Sequence, residues 1–270
     1  MVCRIIQVSR SGYYREKKRK ESEEIFLEKA IILCFKKHSG NYGRIRIRKE
    51  LLKQGIKASE HKIARIMQEH GLKAKTGRKS NRKKAKNKES SYTQENLIQE
   101  KFKVYEANYL WCSDITELKY GKGKLYLCCN IDVATRRIVG WSIGKRQTKE
   151  LVRDAFEMAV GRNPKRPIGA VYHSDRGCQY TAKSTKELIE QYGFRKSMSP
   201  PGSPKDNQPI ESFWRTLELE MENIQYYSYQ EASRAIVKYI ELYYNSERIH
   251  SGINYNVPNN YFRELTLLDV

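Results

Sequence analysis

Three acidic residues stand where an acid is expensive. Asp114 lies inside the apolar run LWCSDITEL, Asp175 closes the run AVYHSD just before Arg176-Gly177, and Glu211 falls in the first turn of the helix expected after a Pro/Gly-rich loop. Aspartate is depleted in strand interiors, and a buried carboxylate without cations or good donors is unfavourable by several kcal/mol. Three that converge also repel one another and raise each other's pKa. A pair of Mg²⁺ ions, or Mn²⁺ in their place, removes both difficulties, because hard cations demand oxygen ligands. Two such ions about 3.5–4 Å apart clamp the attacking and leaving oxygens of an in-line phosphoryl displacement and activate a water or a 3′-hydroxyl.

Other acids have plainer readings. Asp132, in NIDVATRR, precedes a turn holding Arg136 and Arg137 and reads as a structural residue. Glu218 and Glu222 share a helix face with Glu211 and read as a solvated stripe. Two rival chemistries lack their residues. A tyrosine recombinase needs an H-x-x-R box, and Arg248-Ile249-His250 is reversed and mis-spaced. A serine nucleophile near the start would be Ser9 or Ser11, both in a basic helical stretch.

The elements that must position the acids follow from patterning. Tyr109–Lys119, Lys124–Ala134 and Arg136–Lys145 read as three consecutive strands joined by tight turns. Alternation along the first puts Leu110, Cys112, Asp114 and Thr116 on one face. A helix over Lys149–Gly161, a short strand Ala170–Ser174, a helix Lys183–Tyr192 and a strand Phe194–Ser197 come next. The loop PPGSPKDNQP precedes two helices, about Ile210–Ile224 and Tyr229–Glu247.

Upstream the chain has a different character. Of the 270 residues, the first 90 carry 27 basic and 9 acidic side chains, the remaining 180 carry 25 and 22. A near-neutral body behind a strongly basic front points to a polyanion partner, most often nucleic acid. A helix over Glu21–His38 follows a turn at Ser11-Gly12. Two short helices, Arg44–Gln54 and Glu60–His70 capped by Ser59, make a helix-turn-helix-like pair with Lys62 and Arg65 outward. Lys73–Lys88 holds nine basic residues in sixteen and reads as a tether that also neutralises phosphates through Arg78, Lys79, Arg82, Lys83 and Lys84. The organisation expected is a helical region 1–72, a basic linker 73–100 and a catalytic core 101–265. The longest apolar run, Ala30–Phe35, is far short of a bilayer span. Six cysteines without zinc-type spacing fit a reducing compartment, so a cytoplasmic protein is expected.

The spacing of the acids, 60 residues and then 35, resembles the D,D(35)E core of retroviral integrases and insertion-sequence transposases, and most nearly the second-frame (OrfB) proteins of the IS-three family. The words that carry it are WCSDIT (111–116), IDVATRRIVGW (131–141), HSDRGCQYT (173–181), SPKDNQPIESFW (203–214) and RIHSGINYNVP (248–258). VSRSGYY (8–14) and HSGNYGRIRIRKEL (38–51) extend it to nearly the whole chain. One departure is SPKDNQ where the family more often has N-P-x-D-N-A; Asp206-Asn207 survive.

The resemblance implies a ribonuclease H-like core with a mixed five-stranded sheet, and Asp114, Asp175 and Glu211 as ligands of two divalent ions, Asp114 shared. It implies cleavage and joining of element ends in double-stranded DNA, as a homo-oligomer and in concert with an upstream OrfA protein or OrfAB fusion. His173, Gln179, Asn207 and Arg215 sit in matching motifs and are assigned supporting or DNA-positioning roles. The alternatives are a DNA-binding regulator without catalysis, and a nuclease that cleaves without joining.

Overall fold

The computed structural model describes residues 9–75, 96–98, 104, 106–121, 123–200, 207–221 and 228–267. The chain divides into two compact units, Met1–Gly77 and Arg78–Val270.

Among the described residues the first unit has three helices, α1 (Arg10–Lys37), α2 (Arg44–Lys53) and α3 (Glu60–Glu69). Ser59 caps α3 as its sequence suggests, accepting from the Lys62 backbone N–H at 3.2 Å. Leu27, Ile31 and Cys34 of α1, Ile47 and Leu51 of α2, and Ile63, Ile66 and Met67 of α3 form the core. Helix α1 corrects the expectation of a turn at Ser11-Gly12. Ser9 caps the helix by accepting from Gly12 N–H, so these residues are its first turn. The extra turns carry no apolar period; surface pairs such as Arg19–Glu16 (2.8 Å) support them. Ile25, Phe26 and Leu33 are exposed on this helix.

The second unit is a five-stranded mixed sheet. Strands β1 (Leu110–Tyr120), β2 (Gly123–Asp132) and β3 (Ile138–Gly144) are antiparallel, while β4 (Val171–Ser174) and β5 (Arg195–Met198) run parallel to β1, in the order β3-β2-β1-β4-β5. Helices α4 (Lys149–Arg162), α5 (Cys178–Thr181) and α6 (Lys183–Gln191) connect the later strands, followed by α7 (Gln208–Glu220) and α8 (Tyr229–Lys238). The ribonuclease H-like arrangement is as expected, with strand limits within two residues of their sequence reading.

Both sheet faces are covered. Leu110, Cys112, Leu127 and Cys129 pack against Ile210, Phe213 and Leu217 of α7 and Ile236 of α8. Trp111, Cys128 and Val139 pack against Val152, Phe156 and Ala159 of α4. Gly140 lets β3 meet α4: a Cβ there would stand 2.3 Å from the Ala155 carbonyl oxygen. Where one long final helix is expected, α8 passes into a π-helical turn, Tyr239–Tyr244, that carries Tyr239, Ile240 and Tyr244 inward. A 3-10 turn (Ser251–Ile253) and α9 (Pro258–Leu267) complete the unit.

Candidate active site

The topology brings the three acids to one place. Alternation along β1 puts Asp114 on the α7 face with Leu110 and Cys112. The parallel pairing of Ser113 with Ser174 sets Asp114 beside Asp175, the first residue beyond β4. Glu211 lies in the first turn of α7.

Two hydrogen bonds fasten α7 to β1 on either side of Asp114. At the start of the helix, the buried Asn207 donates through Nδ2 to the Ser113 carbonyl at 3.1 Å. One turn beyond Glu211, the Trp214 indole N–H donates to Asp114 Oδ2 at 2.8 Å. Glu211 and Trp214 are three residues apart, so they project from adjacent positions on one helix face. Asp175 is exposed, and its Oδ1 accepts from Gly177 N–H at 3.0 Å, a local turn that fixes the carboxylate.

The electrostatics are those of acids gathered together. Burial pushes the Asp114 carboxyl up to about 7, and the charges of Asp175 and Glu211 add to the rise, against hydrogen bonds from Trp214 and the Ile115 backbone. No three His, Cys, Asp or Glu side chains among the described residues are arranged so as to hold a metal ion. The donor set nonetheless fits a hard cation, being three carboxylates at mutual electrostatic cost.

The other expected residues divide. His173 is fully buried on β4, with Nδ1 and Nε2 each 2.9 Å from a serine hydroxyl, Ser197 and Ser199; it braces β4 against β5 and has no surface to offer a phosphate. Gln179 donates from Nε2 to the Gln147 carbonyl at 3.2 Å, tying α5 to the loop before α4. Asn207 also has a buried Oδ1 without a partner among the described residues. Arg215 is exposed and makes no ion pair among the described residues. Asp132 is structural, accepting from the Asn108 and Thr135 backbone N–H groups at 3.1 Å each.

In the helical unit, Lys62 and Arg65 both reach Glu24 of α1, Lys62 at 4.0 Å, and Arg65 also lies 3.7 Å from Glu69. Arg78, Lys79, Arg82, Lys83 and Lys84 lie outside the described residues. The residue that sequence reasoning passed over is Trp214. Its place one turn after Glu211 was the available signal.

An integrase-type sheet with a carboxylate cluster between β1, β4 and the start of α7 defines a class, the polynucleotidyl transferases. Residues 104–204 and 192–258 each match an Integrase core domain family, and residues 21–80 match an HTH-like domain family. The chain is 38% identical over 249 residues, 92% of its length and 98% of the relative's, to the transposase for insertion sequence element IS904 of Lactococcus lactis subsp. lactis (strain IL1403). It is 33% identical to transposase InsF for insertion sequence IS3A of Escherichia coli (strain K12), covering 93% of this chain and 88% of that one. Among solved structures it is similar to the HTLV-2 integrase catalytic core domain in complex with magnesium (19% identity, TM-score 0.41, 58% of this chain and 96% of that one). The BIV integrase catalytic core domain is similar at 18% identity and TM-score 0.43, covering 60% of this chain and 98% of that one. The chain belongs to the IS3-type family of insertion-sequence transposases, and its activity is that of a DNA transposase with an integrase core.

Proposed function

We propose that Asp114, Asp175 and Glu211 form the single catalytic site of this transposase and hold two divalent cations, Mg²⁺ or Mn²⁺, with Asp114 shared between them. The observation that carries this is Asp114 itself: a largely buried carboxyl whose charged neighbours are Asp175 and Glu211 and which α7 grips through the Trp214 indole. When bound, the cations neutralise the three acids and lend Lewis acidity to an in-line phosphoryl displacement.

The protein's own groups do the placing. Trp214 sets the rotation of the Asp114 carboxylate, Asn207 holds the start of α7 to the Ser113 carbonyl, and the Gly177 N–H orients Asp175. The first displacement breaks a phosphodiester at an element end, with water or hydroxide as nucleophile, and frees a 3′-hydroxyl. In the second, that hydroxyl attacks another phosphodiester: one P–O bond forms, one breaks, and the displaced strand leaves with its own 3′-hydroxyl. Both steps need the same geometry, so one site serves both.

The helical unit and the basic segment after it contact DNA through Lys62, Arg65, Arg78, Lys79, Arg82, Lys83 and Lys84. Such contacts fall with salt in proportion to the phosphates neutralised. The transposase acts as a homo-oligomer on DNA, with an upstream OrfA protein or as an OrfAB fusion supplying end recognition.

A strand-transfer assay with labelled element ends, Mg²⁺ or Mn²⁺ and the upstream partner tests the site. Asp114→Asn, Asp175→Asn and Glu211→Gln are each expected to lower joining by about 10³-fold or more, which is about 4 kcal/mol of transition-state stabilisation. DNA affinity should hold. Joining that persists in any of the three removes that residue from the site, and cleavage without joining in the complete complex identifies a nuclease.

A further inference from the structure

Two of the sequence motifs, 131–141 and 248–258, take no part in the phosphoryl-transfer site, and the structure brings them together where β2 turns into β3. Arg136, in that turn, has a left-handed backbone (φ 60°). Its Nε is fully buried, and its guanidinium has no hydrogen-bond or ion-pair partner among the described residues. The side chain lies against the 248–258 loop: a Cβ on Gly252 would stand 3.5 Å from Arg136 Nε. Its charge lowers the Cys112 thiol and the Tyr244 hydroxyl against their burial. Nearby acids are engaged elsewhere. Asp132 takes the turn's backbone N–H groups, and Glu220 takes Arg248 (2.9 Å) and Tyr239 (2.9 Å).

The loop is itself strained and held in place. Asn254 and Tyr255 are consecutive left-handed residues (φ 54° and 61°), fixed by Tyr255 N–H to the His250 carbonyl and by the His250–Asn256 bridge. Left-handed non-glycine residues cost on the order of 1–3 kcal/mol each and persist where the surroundings over-determine them, commonly at binding sites. A half-buried guanidinium without an acceptor is a further cost.

We propose that Arg136, framed by the 248–258 loop, is a phosphate-binding site that takes the DNA phosphodiester backbone. A guanidinium offers the planar pair of donors that a phosphate's oxygens match. The charge of Arg136 reaches the Cys112 thiol, which shares its sheet face with Asp114. Trp111 pairs with Asp132 and Asp114 with Cys129, so the turn that carries Arg136 begins about three residues, roughly 10 Å of strand, from Asp114. A duplex carries a phosphate every ~3.4 Å of axis on each strand, so DNA engaged at the carboxylates presents one to this site. The arginine then sets the register of the duplex and leaves the chemistry to the acids.

Arg136→Gly separates the two roles the residue could have, because glycine adopts φ 60° freely while removing the cation. In the full chain, melting temperature and anisotropy binding to a duplex of arbitrary sequence over a salt series are measured. The expected result is an unchanged or higher melting temperature, DNA affinity weaker by about 3-fold or more, and a slope of log K against log salt shallower by about 1. Arg136→Lys, which keeps a point charge, should keep the slope and part of the affinity. A lower melting temperature for Arg136→Gly with the salt slope unchanged makes the residue a structural brace and overturns the proposal, as does no change in either. Where stability and affinity both fall, the slope decides. None of these readouts uses the carboxylates, so the test stands apart from the catalytic reading.

Discussion

Charge is handled in opposite ways in the two units. In the helical unit acids and bases meet on the surface: Lys62 and Arg65, with side chains 40% and 55% exposed, share Glu24 at 40%. Such pairs contribute about 0–1 kcal/mol and exchange readily for another partner. The α/β unit has such exposed pairs too, Arg153–Asp154 and Lys186–Glu190 among them, but it also takes carboxylates out of water, and there two arrangements contrast. Glu220 is buried with Arg248, their side chains 2% and 4% exposed, and Tyr239 adds a third bond; that pair is complete and structural. Asp114 is half-buried with an indole and a backbone N–H for donors, and its charged neighbours are two more acids. A fold that can supply a buried acid with an arginine places these three against one another. The paired carboxylate holds the structure; on the proposed reading the crowded ones take cations and the exposed basic groups meet DNA.

After the acids themselves, the largest test of this contrast is Trp214. Trp214→Phe keeps an aromatic ring in the buried position and removes only the N–H aimed at Asp114. A hydrogen bond to a charged group is worth about 1.5–3 kcal/mol, so strand transfer should fall about 10- to 100-fold. The Mg²⁺ concentration for half-maximal joining should rise while DNA affinity and melting temperature hold. A variant that joins DNA at the original rate and metal requirement would reduce the indole contact to packing.

The sheet was legible because its strands alternate or run apolar between clear turn residues, and because an aspartate inside LWCSDITEL has no cheap structural reason to be there. Asp175 and Glu211 were legible from the strand end and helix start that hold them. Contacts across a hundred residues were not. The place of Trp214 one turn after Glu211 put it near the site but not on the Asp114 carboxylate, and nothing near Asn207 points to the Ser113 carbonyl. The early start of α1 was hidden because a cap and surface ion pairs, rather than an apolar stripe, support those turns. The π-helical turn at Tyr239–Tyr244 carries Tyr239, Ile240 and Tyr244 inward at a spacing that helical periodicity does not encode. His173 sat in a matching motif, yet its neighbours in space are Ser197 and Ser199.

Proton linkage supplies the next test. The folded Asp114 carboxyl is raised to about 7 from 3.8, so between those values the folded state binds more protons than the unfolded. Stability of the metal-free protein therefore falls as pH rises from about 4 through 7. Asp114→Asn should flatten that part of the profile and raise the melting temperature at pH 8. Mg²⁺ competes with the same proton, so its apparent affinity should drop up to about tenfold per pH unit below 7. A melting temperature that climbs across this range in the wild type, with no difference in the asparagine variant, would break the account of Asp114.

The smallest effect comes from the exposed side of the comparison. Glu24→Gln removes the acid that Lys62 and Arg65 share, with little change in stability because all three groups are solvated. On the proposed reading each cation gives up Glu24 to reach a phosphate. Without the carboxylate that exchange disappears, so affinity for duplex DNA should rise a few-fold at low salt. The gain should shrink as ions screen the pair, since the Debye length falls to ~8 Å at 0.15 M ionic strength. Lys62→Ala and Arg65→Ala should each make the salt slope shallower by about 1, and in either background Glu24→Gln should gain less. Equal gains in all three backgrounds would show that Glu24 acts as diffuse surface charge, and that the pairing on α3 is incidental to DNA binding.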